Sequence, residues 1–514
     1  MLLSAGASTA LSLLSGCIRT RDEGVPRRRA GSYPRVLEGP GGRSGPSPRP
    51  DASVPVDASR PAPQVPSVGF DAGRPTAPGA IDAALDVDAA PEAAAPAHVE
   101  LVPDPLGVLD LLPGFTYRVL QRSGETMSDG YQVPGRPDAM GCFEGPPGQI
   151  ILMRNHEIFE GDTLRSPYFA GQAAPLEAYD PQGTGGVTRL VIDADSFDVV
   201  SSNLVLAGTY WNCAGGLSPW GWLSCEETLS TGHGYVFLCP VDSPNVSVAQ
   251  PIPGYGRMRH EAAAVHAGSS IAYLTEDRAD GCFYRFVPDD PALPFAGRLQ
   301  ALRIAGRPGF DTGTLRPGER LAVDWVDLDL PPAEDDSLRF AAQVKGAARV
   351  VRGEGLWLTA REVYFCASSG GRFARGQVLR LSFEPDAALE VVAESDGVDG
   401  LDMPDNLCVS PHGELYVAED SGKDGFIRRI GLDGSIVPFA RNALSSSELA
   451  GLCFSPDGRT LFANVQSDGI TLAIHGPFER ELALALPRLG GLHAGLALLA
   501  GALFIRGRRD PRPR

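Results

Sequence analysis

Two stretches late in the chain repeat one design: C-V-S-P-H-G-E-L-Y-V at Cys408 to Val417 and C-F-S-P-D-G-R-T-L-F-A-N at Cys453 to Asn464. In each, a β-prone run enters an S-P-x-G turn and leaves as a second β-prone run, which makes a tight antiparallel hairpin. The spacing of the two hairpins is that of successive propeller blades. Glu414 to Ala418 and Thr460 to Asn464 are the returning runs of these hairpins, and shorter runs between turn residues extend the pattern backwards: Ile150 to Met153, Thr188 to Ile192, Gly234 to Leu238, Ile271 to Leu274, Phe283 to Val287 and Val378 to Leu381. No long helical periodicity interrupts residues 110–475, so the expected fold class is all-β, a β-propeller in one large domain.

The ends of the chain read differently. Residues 1–17 form a short apolar segment ending in L-S-G-C, which resembles a bacterial lipoprotein signal box with Cys17 as the lipidated residue. No Lys or Arg precedes the apolar run, so the usual positive flank is missing. Residues 18–98 are Pro-, Ala- and Asp-rich, too poor in large apolar groups to offset the entropy of ordering, and read as a disordered tether. The folded domain is expected over 99–487. In the remainder, 488–514, Leu489 to Ile505 is apolar apart from His493 and runs into R-G-R-R-D-P-R-P-R. That suits a membrane or sorting segment, or a last strand with a basic tail. Together these features predict an exported protein of the cell envelope or surface, held to a membrane by the lipid or by the C-terminal segment.

The formal charge of −18 repels nucleic acid and suits divalent cations. Beyond Cys17, eight cysteines are scattered without a C-x-x-C pair, which argues against a zinc ribbon.

Acidic or amide-bearing clusters recur beside the strand-like runs: Asn155 to Glu157, Cys225 to Glu227, His260 and Glu261, Thr275 to Arg278, Gly353 to Gly355, Met403 to Asn406 and Ala418 to Asp420. Equivalent strand ends of a propeller meet at its channel, so groups far apart in sequence can converge. Converging carboxylates repel one another and take up protons unless a cation holds them. A thiolate among them would add a soft ligand to a hard set.

M-S-D-G-Y-Q-V-P-G-R-P-D-A-M-G-C-F at Met127 to Phe143, R-N-H-E at Arg154 to Glu157, P-W-G-W-L-S-C-E-E at Pro219 to Glu227, R-H-E-A-A-A-V at Arg259 to Val265 and L-T-E-D-R-A-D-G-C-F-Y-R-F-V-P at Leu274 to Pro288 together resemble PhoX-type alkaline phosphatases, colinearly over roughly residues 105–480. The resemblance implies a six-bladed propeller, a monomeric catalytic domain and phosphate monoester substrates, with iron (Fe3+) and calcium (Ca2+) acting as Lewis acids at a central site. It carries over Cys225 as the iron thiolate and Glu157, Glu226, Glu261 and Glu354 as carboxylate ligands. Glu276, Asp405, Asn406 and Glu419 become further metal or supporting groups, and Arg278 and Arg361 are candidates to neutralise phosphate. The family usually has W-G-x-W where this chain has Trp220-Gly221-Trp222, and no twin arginine precedes Cys17. Two rival readings use the same residues: a calcium-bound binding module without turnover, and a lactonase-like hydrolase, since P-D-N before a hairpin also resembles the calcium site of gluconolactonase-type propellers.

Overall fold

The computed structural model describes residues 100–330, 335–383, 385–397, 400–423 and 425–478; the expected signal segment, tether and apolar C-terminal stretch lie outside the described residues. Strands account for nearly all regular structure, and the single α-helix among the described residues is Leu338–Val344. No helix among them is long and apolar enough to cross a membrane.

Six strands, Pro137–Glu144, Asn212–Ser218, His260–Val265, Gly353–Leu358, Pro404–Val409 and Leu449–Phe454, pack side by side in that order, and the last returns to the first. Each is the inner edge of an antiparallel sheet, so the sheets are blades around an axial channel. The third and fourth blades are joined through Arg320–Asp327, which pairs with Gly297–Ile304 on one side and Ala388–Glu394 on the other. Both S-P-x-G hairpins link inner to second strands, in the fifth and sixth blades. Their turns close through Gly413 N–H to Ser410 O (2.9 Å) and Gly458 N–H to Ser455 O (2.8 Å), with both glycines at positive φ as such turns require.

The N-terminal part of the domain closes the ring. Thr116–Arg122 pairs with Ile470–His475 to complete the sixth blade, and Leu109–Leu111 adds to Ile436–Asn442 in the fifth. Closure leaves no unpaired seam between first and last blades. Packing between blades is apolar and aromatic: Phe283 and Phe365 stack at 4.4 Å across the third and fourth, and Phe115 meets Phe439 and Phe478 at 4.9 Å near the closure.

One polar clamp ties the closing strand inward. Arg154 is 1% exposed and donates to Gln121 Oε1 (2.8 Å), Thr188 Oγ1 (3.1 Å) and Thr471 Oγ1 (2.7 Å), so it joins the first blade to the closing strand and its partner. Arg154→Ala removes three buried hydrogen bonds and leaves Gln121 Oε1 without its donor. It is expected to cost about 3 kcal/mol or more in urea unfolding, with reduced cooperativity.

Candidate functional site

All six inner strands enter the channel from one face, here called upper, and each carries the same irregularity. Pairing with the second strand shifts register between Pro137 and Met140, Asn212 and Gly215, His260 and Ala263, Gly353 and Leu356, Pro404 and Leu407, and Ala450 and Cys453. A bulge there leaves two residues unpaired and re-aims their side chains. The first bulged residue is Asp138, Cys213, Glu261, Glu354 or Asp405 in the first five blades. In the sixth it is Gly451, at φ +70°, where a Cβ would lie 2.4 Å from Asp138 O.

A second repeat brings a further layer to the same end. The carbonyl of the residue that enters each inner strand accepts an N–H from the residue just past the second strand's pairing. These bonds are Glu157 to Arg136 (3.0 Å), Glu227 to Trp211 (2.9 Å), Asp277 to Arg259 (3.2 Å), Ser368 to Arg352 (3.0 Å), Asp420 to Met403 (3.0 Å) and Gln466 to Glu448 (3.3 Å). Two clusters result, in each of which the potential ligand atoms lie within 4.8 Å of one another: Glu157, Cys213 and Glu227, and Glu261, Glu354 and Asp405. Gln466 Nε2 bridges Asp138 Oδ2 (2.6 Å) and Glu157 Oε2 (2.9 Å), and Ser368 donates to Glu354 Oε1 (2.6 Å).

Three of the entering residues are arginines. Arg136 pairs with Glu157, Arg259 with Glu227 (3.2 Å), and Arg352 with Asp277 (2.8 Å) and Glu354 (3.1 Å). Even so, burial, and after it mutual repulsion, lifts Asp138, Glu227, Glu261, Asp405 and Glu448 well above the usual carboxylate range. Burial lifts Glu354 too, against the pull of Arg352, and raises the Cys213 thiol, which neighbouring carboxylates raise further. A buried set of hard oxygens with one sulfur, carrying excess negative charge, fits cations of mixed hardness.

Of the residues singled out from sequence, Glu157, Glu261, Glu354 and Asp405 meet here. Cys225 does not. It lies in the second strand of its blade, buried among Leu223, Val236, Tyr255 and other apolar groups, and the thiol at the acidic centre is Cys213. Glu226, Glu276 and Glu419 share one fate. Each pairs with the first residue of an inner strand, so side-chain alternation turns it away from the channel and turns the next acid toward it. Glu226 instead accepts from His233 Nδ1 (2.6 Å) and Gly234 N–H (2.9 Å). Glu276 accepts from Tyr284 Oη (2.7 Å), and Glu419 from Arg428 Nε (2.9 Å); burial pushes both up to about 7. Asn406 staples neighbouring inner strands by accepting Leu452 N–H (2.8 Å). Arg278 pairs with Asp336 (2.9 Å), and Arg361 is exposed in the turn after Gly353–Leu358, at the opposite end of its strand. Sequence reasoning missed Cys213, Asp138 and the entering arginines, and it set Glu227 in an acidic cluster while carrying over its neighbour Glu226 as the ligand. The available signal was positional, a polar residue one or two places into each of the first five inner strands.

The lower end of the channel is a different environment, a cavity of about 680 Å³ lined largely by apolar groups such as Met140, Trp222, Leu356 and Leu452.

The raised carboxyls fix a pH dependence. Each binds its proton more tightly folded than unfolded, so folding takes up protons and stability falls as pH rises from the unfolded carboxylate pKa near 4. Chelator-treated protein should therefore melt at a lower temperature at pH 8 than at pH 5. Glu261→Gln should flatten that slope and raise the pH 8 melting temperature.

In comparisons with known proteins, the family model described as alkaline phosphatase PhoX matches residues 97–205 and 197–469. Among solved structures, Pseudomonas fluorescens PhoX in complex with vanadate, a transition state analogue, aligns with a TM-score of 0.56 at 18% identity, covering 74% of this chain and 98% of that one. A gluconolactonase from Xanthomonas campestris aligns at 13% identity over 70% of this chain and 100% of its own, with a TM-score of only 0.35. A search of curated protein sequences finds no match. With the family model spanning most of the chain and the propeller it implies present, this chain belongs to the alkaline phosphatase PhoX family.

Proposed function

We propose that the upper end of the channel is the active site of an exported phosphatase that hydrolyses phosphate monoesters with bound iron and calcium. The observation that carries this reading is the bulge repeat, which brings ligand-type side chains from five blades to the same end of the channel. Family membership supports the phosphatase chemistry, and the vanadate bound by the Pseudomonas fluorescens protein supports phosphoryl transfer.

Cys213 with Glu157 and Glu227 offers a soft ligand and two hard ones, suited to iron; Glu261, Glu354 and Asp405 offer oxygen alone, suited to calcium. The metals, when bound, would supply Lewis-acid activation of a phosphoryl group. The chain's own part is to recognise and hold that group. Arg352, whose guanidinium forks onto Asp277 and reaches Glu354, is held where it can also donate to a phosphoryl oxygen as charge builds there. Arg136 and Arg259, entering the first and third inner strands, add positive charge around the same mouth. Burial of the carboxyls keeps water and bulk screening away from these contacts.

Metal analysis and an aryl phosphate assay on one preparation from an export-competent host test this. Iron and calcium with turnover are expected, and calcium alone with no turnover that iron restores leaves a binding propeller. Cys213→Ala should lose iron and at least a hundredfold in turnover. Cys225→Ala should retain both and lose about 1–2 kcal/mol of stability for a small core cavity. The lipid anchor at Cys17 is tested by labelling with a radiolabelled fatty acid, which Cys17→Ser should abolish.

A further inference from the structure

Five of the residues that enter inner strands are charged or flexible; the sixth, entering the second blade, is Trp211. It stands between Arg136 of the first blade and Arg259 of the third, and its carbonyl accepts the N–H of both Cys213 and Glu227 (2.9 Å each). The backbone holds it at φ +50°, a conformation it shares with the entering residues Arg136, Arg352 and Met403, so the position in the blade imposes it.

The indole is fixed at its edge and on one face. Its Nε1 donates to Glu160 Oε2 (2.8 Å), and Glu160 also accepts from Thr228 Oγ1 (3.1 Å) and from Ser230 Oγ. Phe159 packs on the ring at 4.1 Å and 35°, with the Arg136 guanidinium 4.6 Å from the Phe159 ring. Trp211 has no other ring contact among the described residues and is half-buried, so part of the ring remains open at the mouth of the acidic centre. A packing role alone does not call for an oriented and partly exposed indole beside the acidic centre.

Resting on the phosphatase reading, we propose that Trp211, backed by Phe159 and held by Glu160, stacks the flat leaving group of the substrate. The preferred esters are then aromatic monophosphates, aryl or nucleoside. Stacking of a base on an aromatic side chain contributes about 1–3 kcal/mol, enough to set a preference of about tenfold or more over an alkyl ester.

The metal-loaded protein is assayed with 4-nitrophenyl phosphate, adenosine 5′-monophosphate and glycerol phosphate, and kcat/KM ratios of aromatic to alkyl ester are compared. Trp211→Leu should lower the ratio about tenfold, chiefly through KM, and Trp211→Phe should restore most of it. Glu160→Ala, which frees the indole without altering its backbone, should lower the ratio about threefold and carries the test if Trp211→Leu does not fold. In parallel, isothermal titration calorimetry should show benzylphosphonate binding more tightly than methylphosphonate, a difference that Trp211→Leu abolishes, Trp211→Phe largely keeps and Glu160→Ala weakens. A larger loss on adenosine monophosphate identifies a nucleobase as the natural ring, and a larger loss on the aryl ester a phenol. Equal losses on all three substrates, or an unchanged ratio in Trp211→Leu or Glu160→Ala, overturn the platform while leaving the phosphatase intact. No turnover of any substrate by the wild type defeats the phosphatase reading, and the platform with it.

Discussion

One hydrogen bond, repeated around the ring, sets up the rest of this structure. In every blade an N–H just past the second strand's pairing closes onto the carbonyl of the residue entering the inner strand. Pinned above, the inner strand then bulges below, and the bulge turns one side chain out of the ladder toward the axis. Because the ring repeats this geometry, residues as distant in sequence as Asp138 and Asp405 arrive at the same depth. No single blade could assemble such a set, since one strand end offers only one or two groups.

The channel's two ends divide by chemistry. Above the bulges stand carboxylates, a thiol and guanidiniums; below them lies an apolar cavity. Burying acids at the upper end, and crowding them there, raises their carboxyls well above the usual range. Three arginines offset part of that crowding while staying close enough to meet an anionic substrate. The excess of buried negative charge suits the centre to cations, and the arginines at its edge suit it to an anion. Gly451 completes the arrangement by omission: a side chain there would strike the backbone of Asp138 in the neighbouring blade.

The acidic doublets show where sequence and structure part. Glu226-Glu227, Glu276-Asp277 and Glu419-Asp420 each place two acids at a strand end, and nothing in the doublet says which faces the channel. The paired residue goes into the blade, to His233, Tyr284 or Arg428, and its successor faces the axis. A slip of one residue reverses every such assignment, as side-chain direction alternates with period two. The cysteines follow the same logic. Cys225 stood beside two glutamates, and that adjacency drew attention, but it belongs to a second strand packed in apolar surroundings. Cys213, in the plainer Asn212-Cys213-Ala214 run, occupies the bulge.

By itself the sequence determined the fold class, the repeating hairpins of the last two blades and the residue types from which the centre is built. Turn chemistry and strand patterning are local, and hairpins such as Cys453 to Asn464 declare themselves within a dozen or so residues. Only the tertiary structure decided which acids and which thiol meet, which arginines face them, and that a tryptophan stands at the mouth. Those outcomes depend on register, on bulges and on ring closure by a strand some 350 residues before its partner, and each is set by pairing between distant segments rather than by neighbours in the chain.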